Sequence, residues 1–96
     1  MHHISFRLKP GELLKERIEQ IAVERGVEGG VLLSIVGGLD KAVLRMADAT
    51  VESQIVKEWR EPLEIVSGTG TVSRAGCHIH VSLSDREGHV IGGPLS

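Results

Sequence analysis

Aromatic side chains are nearly missing from this chain of 96 residues: Phe6 and Trp59 are the whole supply. A platform that stacks unpaired bases needs aromatic faces in series, so composition argues against single-strand binding of that kind. Cysteine is equally scarce. Cys77 is alone and forms no internal disulfide, which fits a reducing, cytoplasmic setting. Neither sign of charge dominates: 11 Lys and Arg against 13 Asp and Glu give a formal net charge of -2. No global basic field therefore draws in nucleic acid or an anionic membrane. Long apolar runs are also absent, and none approaches the roughly 20 residues that span a bilayer as a helix. Met1-His2-His3 leads directly into a strand-like pattern, with no signal-peptide character. What remains is an ordinary globular balance, 41% hydrophobic and 25% charged, of a size that suits one domain over residues 1–96. No repeat, low-complexity stretch or linker divides it.

The most informative stretch is Cys77 to Leu95, CHIHVSLSDREGHVIGGPL. Ile79, Val81 and Leu83 alternate with His78, His80, Ser82 and Ser84, the period of a half-buried strand. Asp85 suits the first position of a type I turn, and Gly88 the left-handed residue that closes a three-residue loop, Arg86-Glu87-Gly88. That loop sets Asp85 opposite His89, and the rest of the register follows. Leu83 meets Ile91, Val81 meets Gly93 and Ile79 meets Leu95 on an apolar face. On the other face Ser84 meets Val90, Ser82 meets Gly92, His80 meets Pro94 and His78 meets Ser96. A slip of one residue would set apolar side chains against the histidines, so the pattern protects its register.

Histidines at i and i+2 leave a strand on one side, with Cα atoms roughly 6–7 Å apart, and their imidazoles can converge on one ion. A catalytic zinc site needs three protein ligands and a structural one four. The pair supplies two, and the position opposite His80 holds Pro94. Two polar strand residues at a surface or subunit contact are the commoner reason for such a pattern, and an HxH pair alone is a weak metal signal. Cys77 has the opposite parity and reads as a small core residue. His89 beside the turn reads as an ion-pair partner of Asp85. Ser82 and Ser84 have no evident base beside them, so no catalytic residue is assigned. The glycine pairs Gly37-Gly38 and Gly92-Gly93 lack phosphate-loop spacing. Arg7, Glu64, Gly92, Gly93 and Pro94 are further candidates for the face that carries the histidines.

The remaining chain reads in order as follows. Ile4, Phe6 and Leu8 alternate in a first strand, His2 to Leu8. Pro10-Gly11 punctuates, and a helix runs from Gly11 or Glu12 to Arg25 with Leu14, Ile18, Ile21 and Ala22 on its apolar stripe and Gly26 as its stop. Val31 to Val36 is a continuous apolar run that suits a central strand covered on both faces. Leu39 to Ala47 is another strand. Asp48 to Arg60, with Val51, Ile55 and Val56 among charges, is a loop and an edge strand. Leu63 to Ser73 is a strand whose Gly68 and Gly70 mark a bulge or close backbone approach.

The run HIHVSLSDREGHVIGG resembles the signature of the PPC domain, the "plants and prokaryotes conserved" domain. His78, His80, Ser82, Leu83, Asp85, Gly88, Val90, Gly92, Gly93 and Leu95 match the family pattern, and Pro94 stands where that pattern has a third histidine. KPGELLKERIEQIA and EPLEIVSGTGTVS resemble the family's opening and its preceding strand, so the likeness covers Phe6 to Leu95. It implies an α+β fold, a largely antiparallel sheet with an N-terminal amphipathic helix packed on it, and a homotrimer. Family members continue past Gly-Gly-x-Leu into further strands, so the resemblance implies either a sequence truncated before the family's C-terminal strands or a short member without them. The three-histidine members resemble zinc sites; with Pro94 here, weak zinc binding by His78 and His80 is the corresponding expectation. Two function classes follow. One is a non-catalytic module for DNA binding or protein assembly, although the chain has no AT-hook Arg-Gly-Arg core. The other is a zinc-dependent small-molecule enzyme or metal-binding protein that uses the HxH strand.

Overall fold

Leu14, Ile18, Ile21 and Ala22 recur at helical spacing, and in the computed structural model they form the inward face of α1 (Leu14–Glu24). The structure describes residues 2–47, 50, 52–53 and 55–96, so Val51 of the expected loop lies outside the described residues. The helix starts two or three residues later than the sequence suggests, with Leu13 as an extended N-cap. Its end is as expected. Gly26 has φ +65°, its N–H donates to the Val23 carbonyl and that of Val27 to the Ala22 carbonyl, the two bonds of a Schellman stop.

Among the described residues seven strands follow: β1 (Gly29–Leu32), β2 (Gly38–Leu39), β3 (Ala42–Arg45), β4 (Val56–Trp59), β5 (Leu63–Ser73), β6 (Gly76–Ser84) and β7 (Val90–Pro94). All described pairings are antiparallel. The main sheet runs β1-β5-β6-β7, with β2 also on β5, and β3-β4 make a separate two-stranded sheet. The alternation in β6 places Cys77, Ile79, Val81 and Leu83 in the core. There they meet Ile18 of α1, Leu63 and Ile65 of β5, and Ala42 and Leu44 of β3. Helix and small sheet thus share one face of the main sheet. At the far end of β7, Leu95 bridges Leu44 and the Ser96 N–H donates to the Val43 carbonyl, drawing the chain towards β3.

Three expectations need correction. His2 to Leu8 is not a strand: none of these residues is in a helix or strand, and they make no hydrogen bond among the described residues. Alternation selects a strand conformation only where another strand supplies the ladder. The run Val31 to Val36 is not a central strand. Only Val31 and Leu32 lie in β1, which among the described residues has β5 on one side alone, and residues 33–36 leave the ladder before Gly37, whose carbonyl accepts from the Ile65 N–H, and β2 rejoin the same strand. Leu39 to Ala47 is not one strand but two in different sheets, separated by a bend at Asp40.

The glycines of β5 behave as the sequence suggests. The register with β6 shifts between Ile65 and Ser67, a one-residue bulge at Val66. A Cβ on Gly70 would lie 2.2 Å from the His78 carbonyl oxygen, and one on Gly68 2.5 Å from Ile35 Cγ2. Both positions therefore require the missing side chain.

Candidate functional site

The face of the main sheet turned away from α1 is assembled by parity. In β6 the residues out of the core are His78, His80, Ser82 and Ser84, and both histidines are exposed. The β7 partners are those the turn chemistry predicts: Ser84 opposite Val90, Ser82 opposite Gly92 and His80 opposite Pro94. The expected His78–Ser96 pair is the exception, because Ser96 bonds to Val43. On the other side β5 sets Thr71 against His78, Thr69 against His80 and Ser67 against Ser82. Val31 of β1 continues the row beyond Thr71.

The result is an open strip of small hydroxyl side chains with two imidazoles at its centre. Thr69 and Thr71 were not singled out from the sequence. Their signal lay in the alternation of SGTGTVS, but the bulge at Val66 resets the face on which each residue falls. Glu64 is on the same face but at its far end, paired with Ser84, four residues along β6 from His80. Arg7 lies in the segment outside helices and strands and is exposed. Gly92 and Gly93 bring backbone close: a Cβ on either would be 2.9 Å from a carbonyl oxygen, that of Val81 or of Arg45.

Two other titratable groups lie beside the strip rather than on it. Cys77 is buried beneath α1, with its Sγ 3.6 Å from Glu19 Oε1 and 3.8 Å from the Lys15 carbonyl oxygen. Burial, with the neighbouring Glu19 carboxylate, pushes its thiol up to about 11, so it is no nucleophile at neutral pH. At the turn, Asp85 Oδ1 accepts from the N–H of Glu87 and of His89, both at 2.9 Å, and Oδ2 lies 3.4 Å from His89 Nδ1. Desolvation raises the Asp85 carboxyl, but the His89 and Glu87 N–H groups and the His89 ring together hold it below the usual carboxylate value.

Among the described residues, no group of three or more His, Cys, Asp or Glu side chains is placed to hold a metal ion. His78 and His80 lie between threonines on one side and Pro94 on the other, and these neighbours in the ladder add no imidazole, thiol or carboxylate to the pair.

A helix and a small sheet on one side of an antiparallel sheet, with the HxH strand open on the other, define an α+β module with its candidate site on a strand face. The Plants and Prokaryotes Conserved (PCC) domain model matches residues 1–96, and the chain belongs to that family. It is 37% identical to the metal-containing protein of Archaeoglobus fulgidus, with a TM-score of 0.82 over 95% of this chain and 66% of that one. A plant- and prokaryote-conserved protein of Pyrococcus horikoshii is 29% identical, with a TM-score of 0.84 over 94% of this chain and 65% of that one. A Bacteroides thetaiotaomicron protein named as a candidate DNA-binding protein shares the fold at 21% identity and a TM-score of 0.75, over 84% of this chain and 59% of that one. The bifunctional protein GlmU of Synechococcus sp. (strain JA-3-3Ab) is 37% identical over 93% of this chain, which spans 14% of the GlmU length. No helix is long and apolar enough to cross a membrane among the described residues.

Proposed function

We propose that this chain is a non-catalytic association module, a homotrimer that meets DNA or a protein partner through assembly. The observation that carries the reading is the open strip Thr71–His78, Thr69–His80–Pro94 and Ser67–Ser82–Gly92, mostly small-sided and without a second layer among the described residues. Small side chains permit close approach by another surface, and an uncovered sheet face is where a further protein layer would pack. The DNA part of the reading draws on relatives named for DNA binding, and the chain's net charge of -2, which assembly multiplies, favours a partner as the source of that contact. Equilibrium sedimentation of the 10.4 kDa chain at micromolar concentration is the test. A mass near three chains is expected, and a monomer overturns the reading.

A second reading is metal binding through His78 and His80, favoured by their common face and by a 37% identical relative named as metal-containing. The remaining ligands would be water or groups of another subunit. Zinc-dependent small-molecule chemistry would need an ion that holds a reactive water, and two imidazoles alone do not build that site. Metal analysis of protein purified without chelator tests it: stoichiometric metal supports this reading, and none removes it.

A further inference from the structure

The ladder between β1 and β5 ends at Gly29 and Ser73, and one step further along the same register sets Glu28 level with Arg74. Both share parity with Val72, whose β6 partner Cys77 lies in the core beneath α1. Glu28 and Arg74 therefore stand on the helix side of the main sheet. There the Arg74 guanidinium donates to Glu28 Oε1. Ser73 holds the turn from which Arg74 projects: its hydroxyl accepts from the Ala75 N–H at 3.2 Å and donates to the Gly76 carbonyl at 3.3 Å. The ion pair lines an open cleft of about 310 Å³, a size that takes a small molecule. Ala22, Val23 and Val27 form its apolar wall, and Gly26, left-handed at the end of α1, adds no side chain to fill it. Val23 is 81% exposed, so its apolar surface is free to meet a ligand.

We propose that this cleft binds a free aliphatic α-amino acid. Its carboxylate lies on Arg74, its ammonium on Glu28 and its side chain against Ala22, Val23 and Val27. The site goes beyond the association reading and does not depend on it. Its charged lining is one cation and one anion, so charge complementarity favours a ligand that carries both signs close together. A simple anion would be drawn by Arg74 and repelled by Glu28, and a simple cation the reverse. A zwitterion between them replaces one ion pair by two. The pair it parts is at the surface, with side chains 78% and 73% exposed, and such pairs contribute little to stability. The last turn of α1 borders the same cleft, and the negative end of its dipole favours the ammonium. The wall is aliphatic, which selects an apolar side chain over a charged one.

The test is amide NMR of the full chain titrated with L-leucine and with three relatives of it. Isocaproate lacks the ammonium, isoamylamine lacks the carboxylate and glycine lacks the side chain. Saturable shifts at Gly26, Glu28 and Arg74 are expected with L-leucine, at a Kd of about 1 mM or tighter. Each of the other three should bind at least about tenfold more weakly. Arg74→Ala and Glu28→Gln, both at exposed positions, should each raise the L-leucine Kd by at least about tenfold. The absence of saturable shifts at these residues overturns the site, as does any of the three relatives binding as tightly as L-leucine. Unchanged L-leucine affinity in either variant overturns it equally.

Discussion

Proline at position 94 withholds from the site both a lone pair for a cation and an N–H for a neighbouring ligand. The sequence made this legible because the hairpin register follows from the turn, and His80 does face Pro94. Pro94→His is therefore expected to create a three-histidine set and raise zinc affinity by at least about a hundredfold in calorimetric titration. His80→Ala in that background should abolish the gain; tight zinc in the parent, unaffected by Pro94→His, would show that the third ligand lies elsewhere. Gly70 is the residue whose role is steric. With the His78 carbonyl 2.2 Å from where a Cβ would stand, Gly70→Ala must push β5 and β6 apart. A loss on the order of 2 kcal/mol or more in urea unfolding is expected. The sequence offered only an isolated strand glycine, which signals close approach without saying to what.

Among the elements, those with a local stop signal were legible and those defined by a distant partner were not. The helix carries its own stripe and its Gly26 stop, and the hairpin carries its alternation and its Asp85 and Gly88 turn. The apolar run from Val31 carries no such information, because periodicity does not distinguish a strand covered on both sides from an edge awaiting a neighbour. The bend at Asp40 hides within a pattern that continues in parity through Ala42 and Leu44. The turn element gives a pH prediction. Asp85 is held below its ordinary value in the folded chain, so its contribution is fully present above the unfolded carboxylate value of about 3.9 and is lost as pH falls through the folded one. Asp85→Ala should lower the thermal midpoint by a few degrees at neutral pH, and the gap to the parent should close as pH falls through the lowered value of the folded carboxyl. A gap that persists unchanged in acid would mean that the turn owes nothing to the charged carboxylate.

At the scale of the molecule, the described residues cover one face of the main sheet and leave the other open. The covered face was legible from alternation in β6, which needs only one sequence. What lies against the open face was not, since alternation marks the side of a strand that is buried and not what meets the other. Charge is the property that survives this ignorance, because assembly multiplies it without changing its sign. With 11 basic residues against 13 acidic and no basic run, a homotrimer carries a larger negative charge than one chain, not a smaller one. Phosphate contacts supply most of the affinity for generic duplex and depend on clustered Lys and Arg. We therefore expect fluorescence anisotropy at physiological salt to show no duplex binding by the isolated protein tighter than micromolar. Specific sites are typically held at roughly 10⁻⁸–10⁻¹¹ M, so the contrast is wide enough to measure. Tight binding that weakens steeply with added salt would mean that assembly gathers Arg7, Lys9, Arg25 or Arg74 into a basic surface that one chain does not have.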